Sequence, residues 1–328
     1  MASTPSEAAA PVASDYITLS VPEIRGNEWR YVKECLDTNW VSSVGPFVDR
    51  FETMVADYLG AEHAVATVNG TAALHIALLL AGVEPDDEVL VPTLTFISPA
   101  NAVRYAGAVP VFVDVEPEYW QMDPELVAEF LESECRWADG GLRNKATGRR
   151  IAAVLPVHLL GHPVDIDRVL AVARKYGLPV VEDASESLGA TYKERPVGTL
   201  GDIACFSFNG NKTVTTGGGG AIITNDADLA AHAKHLTTTA KVPHRWEYSH
   251  DLAGFNYRLP NINAALGCAQ LEQLPRFLEQ KRRLAGAYEA AFAGIKGLRF
   301  FTEPDYAKSN YWLNALVLDP GLADLRDD

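Results

Sequence analysis

The sequence predicts an α/β protein built on a mostly parallel sheet of about seven strands. Short apolar runs recur at intervals that leave room for a helix between them, and several intervening segments have helical periodicity. Strands covered on both faces are apolar throughout, as these runs are. The predicted strands are residues 64–68, 88–92, 109–115, 151–157, 178–183, 203–208 and 220–224.

Two segments between these strands have the clearest helical pattern. Residues 71–82 follow a strand directly, and residues 165–177 begin with Asp165 as a predicted N-cap and end at Gly177. Beyond residue 245 the pattern changes. One long helix is predicted over 261–293, followed by strand-like segments at 298–301 and 311–318.

Composition divides the chain into three predicted parts. Residues 1–15 are rich in Ala, Ser and Pro and lack a basic start or a long apolar run, which indicates a flexible N-terminal tail. Residues 16–245 carry the alternating pattern of a large α/β domain. Residues 246–328 would form a smaller α+β domain, which we expect to be incomplete because the chain stops just after a strand and a turn.

Charge and cysteine content exclude several classes of partner. With 28 basic and 43 acidic residues the net charge is −15, and no long basic run is present, so nucleic acid and anionic membranes are not predicted partners. No apolar run of 18 residues occurs, so no membrane span is predicted. The scattered cysteines favour neither a zinc ribbon nor a disulfide framework and fit the cytoplasm: Cys35, Cys135, Cys205 and Cys268.

Lys212 is the most informative candidate for catalysis. The predicted strand 203–208 leads it into a polar turn, and four glycines follow at 217–220. An amine partly withdrawn from water has a lowered pKa, so it can attack a carbonyl and form a Schiff base. Glycines allow close approach of a bulky ligand or a positive φ.

Two carboxylates follow another predicted strand. Asp183 and Glu186 come at the end of residues 178–183, where open α/β sheets form ligand crevices. A carboxylate there can keep a pyridinium nitrogen protonated, which makes the ring an electron sink. Capping of a helix by Asp183 or Ser185 is the commoner use of such residues and stays open as an alternative.

The strand-to-helix turn at Asn69, Gly70 and Thr71 is a candidate phosphate site. Free N–H groups at a helix N-terminus, a hydroxyl and a glycine that permits close approach suit a phosphate dianion. Ser207 is placed to add a second hydroxyl. Many α/β proteins use such a turn structurally, and it matches neither the P-loop nor the GxGxxG pattern.

Two further features have competing interpretations. Phe96 lies among small and polar residues and could stack on a flat ring, although a place in the core is more common. His158 and His162 have an HxxxH spacing, but Gly161 and Pro163 disfavour the helix that a metal-binding pair needs, so no metal is predicted.

Six motifs occur in order along the chain: NGTAAL, PTLTFISPANAV, PVHLLGHP, VEDASESLGA, FSFNGNKTVTTGGGG and GFNYRLPNINAALGCAQL. Together they resemble the sugar aminotransferases of the DegT/DnrJ/EryC1/StrS group, over roughly residues 16–318. The resemblance implies pyridoxal 5'-phosphate as cofactor and fold type I of the enzymes that use it, the aspartate aminotransferase type. It also implies a homodimer with active sites at the subunit interface.

The resemblance implies a role for each matching residue. Lys212 would form the Schiff base with the cofactor and move the proton, and Asp183 would pair with the pyridine nitrogen. Phe96 would stack on the ring. Glu186, where many relatives have Gln or His, would lie near the ring hydroxyl. Gly70, Thr71, Ser207 and the partner subunit's Asn256 would bind the phosphate, and Ala72 is a further predicted cofactor contact.

The substrate follows from a finer resemblance. The segments DASES, FNGNK and TTTAKVPHRWEYSH are similar to the branch acting on nucleotide-linked 4-keto-6-deoxy sugars, closest to enzymes of the legionaminic acid type that aminate UDP-4-keto-6-deoxy-N-acetylhexosamine with an amino acid, here expected to be glutamate. Lys241, His244 and Arg245 could supply cations for the sugar diphosphate, although a solvated basic loop is an equally good interpretation. His158 completes the predicted substrate contacts.

Two alternatives to an aminotransferase stay open on the same scaffold. A sugar dehydratase that uses pyridoxamine phosphate would resemble family members with His in place of the lysine, so Lys212 favours transamination. A catalytically silent, cofactor-binding regulatory protein would be expected to lose Lys212 or Asp183, and the chain has both.

Overall fold

A computed structural model describes residues 18–322, so the predicted tail at residues 1–15 lies outside the described residues. A π-helical turn, Phe130–Glu134, and a 3₁₀ turn, Leu159–Gly161, accompany the α-helices in this range. The helices are α1 (Glu28–Asp37), α2 (Pro46–Leu59), α3 (Gly70–Leu80), α4 (Ile97–Tyr105), α5 (Pro124–Glu129), α6 (Ile166–Lys175), α7 (Ala227–Thr237), α8 (Asn261–Leu271) and α9 (Leu274–Phe292).

The strands include all seven that the sequence predicts, each within a few residues of the expected bounds. They are β1 (His63–Thr67), β2 (Glu88–Pro92), β3 (Val109–Val113), β4 (Cys135–Ala138), β5 (Gly141–Asn144), β6 (Ile151–Val154), β7 (Val181–Asp183), β8 (Thr191–Tyr192), β9 (Arg195–Pro196), β10 (Ile203–Ser207), β11 (Gly220–Thr224), β12 (Leu298–Phe300), β13 (Ala307–Lys308) and β14 (Leu316–Leu318).

The seven predicted strands lie side by side in the order β3-β2-β6-β7-β10-β11-β1. Two ladders, β3-β2-β6 and β1-β11-β10-β7, are joined by parallel bridges from Val154 to Val180 and from Val157 to Asp183. Every pairing is parallel except those of β11, which runs antiparallel to both β10 and β1. The prediction of a mostly parallel sheet is therefore confirmed.

Helices cover both faces of this sheet, which explains why its strands are apolar at successive positions. In β10, Ala204 and Phe206 belong to one buried cluster, together with residues of α2, α6 and α8. Ile203 and Cys205 point to the opposite face and belong to a second cluster, with residues of α3, α4 and α7. Because both faces are buried, every position of the strand is better filled by an apolar side chain.

Two predictions about helices need correction. The helix predicted over 261–293 is two helices, α8 and α9, and Pro275 lies in the first turn of α9, where its missing N–H costs nothing. Asp165 precedes α6 as predicted, but its carboxylate does not cap the helix and instead accepts a hydrogen bond from the Tyr192 hydroxyl. The predicted end of α6 is confirmed, since Gly177 has φ of +64°.

The chain after α9 packs back against the segment that follows β7. β12 pairs with β14, whereas β13 pairs with β8, which follows β7 by a few residues. The amide of Asn310 donates to the carbonyl oxygens of Glu186 at 2.8 Å and Leu188 at 3.0 Å. Residues 311–315, predicted as strand, are irregular, and the strand begins only at Leu316. The domain boundary near residue 245 stays a prediction.

Within residues 18–322, no helix combines the length and the apolar character needed to cross a bilayer. α9 is the longest of the helices in this range at 19 residues, and it has charged side chains along its length.

Candidate functional site

A cavity of about 190 Å³ lies where β7 and β10 end and α3 begins. We call it the sheet-edge cavity. Its lining contains nine residues that were named from the sequence, and it adds side chains from distant segments. The lining residues are Asn69, Gly70, Thr71, Phe96, Ser98, Val157, Asp183, Ser185, Glu186, Ser207, Asn209, Asn211, Lys212 and Trp312.

The antiparallel strand β11 places the end of β1, the end of β10 and the turn before α3 next to one another. Its first residue, Gly220, pairs with Thr67 at the end of β1 and with Ser207 at the end of β10. A Cβ atom at Gly220 would lie 2.5 Å from the backbone carbon and oxygen of Asn69, so only glycine fits there. Gly220, the last glycine of the run after Lys212, therefore allows the ends of β1 and β10 to pack closely against the turn that starts α3.

Lys212 projects into the cavity from the turn after β10. Its Nζ donates to Glu186 Oε1 at 3.2 Å and lies 3.8 Å from the centre of the Trp312 ring. Only 13% of the side chain is exposed. Both contacts stabilise an ammonium group. Before it can act as a nucleophile the group must therefore give up a proton, and Glu186 is the carboxylate that it touches.

Glu186 is held by a second hydrogen bond. Its Oε2 accepts from the backbone N–H of Leu160 at 2.7 Å, in a turn where Leu160 has φ of +58°. Burial raises the pKa of the Glu186 carboxyl, and the Lys212 ammonium acts in the opposite direction. A carboxyl with a raised pKa, fixed beside an amine, is suited to exchange a proton with it.

Asp183, the last residue of β7, is almost fully buried. Its Oδ1 accepts from the backbone N–H of Ser185 at 3.0 Å, which closes a local turn. No helix starts here in the described chain, so the helix-cap interpretation is wrong. Burial raises the pKa of the Asp183 carboxyl, whereas Ser185, Lys212 and His158 oppose the rise. A cationic group in the cavity would offset the cost of this buried charge.

The N-terminus of α3 has the features of an anion site. The Asn69 side chain accepts from the Ala72 N–H at 2.8 Å, while the N–H groups of Gly70 and Thr71 have no partner among residues 18–322. The Thr71 hydroxyl donates to the Ser98 hydroxyl at 2.9 Å. Two free N–H groups, a helix dipole and nearby hydroxyls fit a phosphate dianion.

Gly70 leaves the space that such an anion would need. A Cβ atom at this position would lie 2.9 Å from Ser207 Cβ and 3.2 Å from Ser185 Oγ. The first of these contacts is too short for any real Cβ, and the backbone of β10 holds Ser207 in place. A side chain at residue 70 must therefore displace either the helix start or the hydroxyls.

We expect Gly70→Ala to weaken cofactor binding by about tenfold, because displacing a packed neighbour costs roughly 1–3 kcal/mol. The measurement is the dissociation constant from spectral titration of the cofactor-free protein. Gly286→Ala is the matched control: Gly286 lies inside α9 with nothing within 4 Å of its Cβ position. That control should leave cofactor affinity unchanged, and equal effects of the two substitutions would contradict the close-approach explanation.

Phe96 lies at the mouth of the cavity, directly before α4. Its side chain is 67% exposed, so the interpretation as a core residue is wrong for this chain. An exposed aromatic ring beside a cavity is available to stack on a flat ligand.

Several residues predicted to bind the cofactor or substrate do not line this cavity. The Ala72 N–H is taken by Asn69, and the Asn256 side chain accepts from Arg258 Nε at 3.0 Å outside the cavity. His158 is fully buried: one ring nitrogen lies 3.0 Å from Glu182 Oε2, and the other accepts from the Val164 N–H. With both nitrogens engaged, His158 cannot contact a substrate, so its predicted role is corrected to one of packing.

The predicted basic loop also lies outside the sheet-edge cavity. Lys241 Nζ is 3.8 Å from the centre of the Tyr248 ring, and the Arg245 guanidinium carbon is 4.8 Å from the centre of the Trp246 ring. His244 Nδ1 accepts from two backbone N–H groups of its own loop. A substrate bound in the cavity of the same chain would not touch this loop.

Five lining residues were given no role from the sequence: Ser98, Val157, Asn209, Asn211 and Trp312. The first four lie within the motifs quoted above, so position beside a predicted residue could have found them. Trp312 has no such signal. Its indole N–H donates to the Asn211 carbonyl oxygen at 2.7 Å, across 101 residues of sequence, and this bond holds the ring against Lys212.

Comparison with known proteins identifies the family. The family model described as DegT/DnrJ/EryC1/StrS aminotransferase family matches residues 22–327. The chain belongs to this family. It is therefore a nucleotide-sugar aminotransferase that uses pyridoxal 5'-phosphate, and the predicted family, fold class, cofactor and type of enzyme are confirmed.

Individual relatives are similar over most of the chain. A GDP-perosamine synthase of Caulobacter vibrioides is 44% identical over 314 residues, which is 95% of this chain and 80% of the relative. A GDP-perosamine synthase of Escherichia coli O157:H7 is 42% identical, over 92% of this chain and 78% of the relative. The aminotransferase TlmJ from Streptoalloteichus hindustanus superposes with a TM-score of 0.84 at 29% identity, over 94% of this chain and 81% of that structure.

The sheet-edge cavity of this aminotransferase fits its cofactor. Gly70 and the free N–H groups of α3 suit a phosphate, the Asp183 carboxyl suits a protonated ring nitrogen, and Lys212 supplies the amine. The exposed ring of Phe96 lies at the mouth of the cavity.

Proposed function

We propose that this enzyme transfers an amino group from glutamate to the C4 keto group of a nucleotide-linked 4-keto-6-deoxy sugar. The observation that carries the proposal is the convergence of Lys212, Asp183 and the start of α3 on one cavity. Retention of Lys212 favours transamination over dehydration, because the amine is the group that a dehydratase of this family replaces. Retention of both Lys212 and Asp183 disfavours a silent regulatory protein.

Each residue has a distinct task in this proposal. When bound, the cofactor supplies a carbonyl for amines and a ring that delocalises negative charge. Asp183 holds a proton on the ring nitrogen, which strengthens that delocalisation. The N–H groups of Gly70 and Thr71 with the Ser207 hydroxyl orient the phosphate, and the Phe96 ring covers the cofactor and excludes water.

Proton movement is assigned to Lys212 and Glu186. Lys212 Nζ, once free, removes the proton from the Cα atom of the amino donor. Glu186 Oε1, at 3.2 Å, accepts a proton from the ammonium while the Leu160 N–H fixes the other carboxylate oxygen. The buried carboxyl, with its raised pKa, is a better proton acceptor than an exposed one would be.

The nucleotide is open between two candidates, each with its own support. Motif resemblance favours UDP-4-keto-6-deoxy-N-acetylhexosamine. The names of the two relatives described above favour a GDP-linked 4-keto-6-deoxy sugar instead. The comparisons therefore support amination of a nucleotide sugar more strongly than they support the UDP-linked substrate.

The test is a spectral titration of the enzyme in its amine-loaded cofactor form against a panel of keto sugars. UDP-, GDP- and dTDP-linked 4-keto-6-deoxy sugars would each be mixed with the enzyme, and recovery of the aldehyde form of the cofactor would be followed by absorbance. One nucleotide series should react at least about tenfold faster than the others, since a lost specific contact costs roughly 1–3 kcal/mol. No reaction with any 4-keto sugar would refute the proposal.

We also propose a homodimer that acts in the cytoplasm, as the sequence predicts. The position of Asn256 outside its own chain's cavity supports a role in the cavity of a second copy, and the same applies to Lys241 and Arg245. The exposed Phe96 ring at the cavity mouth is a further surface that a second copy could cover.

A further inference from the structure

A second cavity borders Lys212, and neither the family nor the proposed roles account for it. It has a volume of about 190 Å³ and lies between residues 20–23 and the helices α8 and α9. We call it the α9 cavity. Its lining includes Glu23, Lys212, Thr213, Gln280 and Lys281. Since one water takes up roughly 30 Å³ of liquid, a short side chain fits in such a space.

Lys281 makes the α9 cavity electropositive. Its Nζ donates to the Trp312 carbonyl oxygen at 3.1 Å, and no carboxylate lies within ion-pair distance in the part of the chain that the structure describes. Burial lowers the pKa of the Lys281 ammonium. An unpaired, partly buried cation of this kind gains from a bound anion.

The one carboxylate in the lining is already compensated. Glu23 Oε1 lies 2.6 Å from Arg276 and 3.6 Å from Arg25. Lys212, the other cation in the lining, is paired with Glu186. The charge left without a partner is therefore that of Lys281.

Thr213 provides a second and independent sign of a missing ligand. Its side-chain hydroxyl is buried and has no hydrogen-bond partner within residues 18–322, yet it borders the α9 cavity. Buried hydroxyls nearly always have a partner, so a ligand oxygen in the cavity would satisfy this one. The Gln280 amide in the same lining can offer a further donor.

Lys212 is the residue that the α9 cavity and the sheet-edge cavity have in common. The Trp312 ring contacts the Lys212 ammonium, and the Trp312 carbonyl oxygen accepts from Lys281. A single residue, Trp312, therefore links the Lys212 ammonium to the Lys281 ammonium.

We propose that the α9 cavity binds the side-chain carboxylate of a dicarboxylic amino donor, with Lys281 as the pairing cation and Thr213 as a hydrogen-bond donor. This inference rests on the proposed function, because it names the specificity of the donor half of that reaction. It makes Lys281 a specificity-determining residue, and it explains why a donor with an acidic side chain would be chosen over a neutral one.

The test compares donors in the half-reaction without sugar. Loss of the aldehyde form of the cofactor would be followed after mixing the enzyme with glutamate or with alanine. Lys281→Met, which keeps the stem and removes the charge, should raise the apparent dissociation constant of glutamate about tenfold or more, the effect of one charged hydrogen bond. The apparent dissociation constant of alanine should change less than about twofold, because alanine has no side-chain carboxylate and loses no charged contact.

Two controls separate binding from damage to the fold. Lys281→Arg keeps the charge and should restore most of the affinity for glutamate. Lys175→Met changes a lysine that is 63% exposed on α6, and it should leave the apparent dissociation constants of both glutamate and alanine unchanged.

A direct binding measurement distinguishes failure of this inference from failure of the proposed function. Calorimetric titration with glutarate and with butyrate needs no turnover. The parent protein should prefer glutarate, and Lys281→Met should lose the preference. An unchanged preference, or equal losses for glutamate and alanine, would overturn the carboxylate site, whereas a parent enzyme that accepts no amino donor would overturn the proposed function instead.

Discussion

Lys212→Ala should lower turnover by about 10⁴-fold or more, because it removes both the nucleophile and the group that moves the proton. The visible absorbance that marks cofactor bound to the lysine should disappear. Both are measured with glutamate and a keto sugar at saturation. Lys175→Met, the surface lysine control, should retain the parent rate and spectrum. Substantial steady-state turnover by Lys212→Ala would remove Lys212 from the catalytic role.

The same variant tests whether the active site is shared between two copies. Asn256→Ala should also impair turnover if the partner subunit's Asn256 contributes to each site. When the two inactive variants are mixed and allowed to exchange subunits, one site of each mixed dimer regains both Lys212 and Asn256. Activity should then return to part of the parent level. Failure to complement despite demonstrated exchange would contradict the shared site.

Asp183→Asn should reduce turnover by roughly 10³-fold while stabilising the cofactor-free protein at neutral pH. Turnover falls because a neutral amide cannot hold the proton on the ring nitrogen, and loss of a preorganised electrostatic contact typically costs this much. Stability rises, by about 1 kcal/mol in unfolding free energy, because no cation lies within ion-pair distance of the buried carboxylate in residues 18–322 when the cofactor is absent. The measurements are steady-state kinetics and thermal unfolding.

The pH dependence gives this stability prediction a definite sign. Burial raises the pKa of the Asp183 carboxyl, so the folded protein binds this proton more tightly than the unfolded chain does. The stability of the parent should therefore fall as the pH rises from the ordinary pKa of about 4 through the raised one. The advantage of Asp183→Asn should appear over that interval and vanish below it, where the parent carboxyl is neutral too.

A matched control is available on the surface. Asp139 is 83% exposed, and Asp139→Asn should show no comparable stabilisation at any pH. A parent protein that is more stable than Asp183→Asn at neutral pH, without cofactor, would contradict the burial cost on which the prediction depends. Added cofactor should reverse the order, because its protonated nitrogen then compensates the Asp183 charge.

Local pattern was enough to predict the seven strands of the main sheet and two of the helices between them, α3 and α6. A strand buried on both faces must be apolar at every position, and Ile203 to Phe206 in β10 show how the two clusters share such a run. The same logic located Asp183, Ser207 and Lys212, since functional residues follow the ends of buried strands. Local pattern gave a wrong helix cap at Asp165, because its carboxylate accepts a hydrogen bond from the distant Tyr192 hydroxyl instead.

The sequence by itself determined the sheet, the family motifs and the chemical types of the main site residues, because these depend on short-range periodicity and spacing. Only the tertiary structure decided that β11 runs antiparallel and sets Gly220 beside both Thr67 and Ser207. It also decided that Trp312 reaches Lys212 and that His158 is buried instead of facing a substrate. These are contacts between segments far apart in sequence, and no local pattern encodes which of many compatible surfaces will pack together.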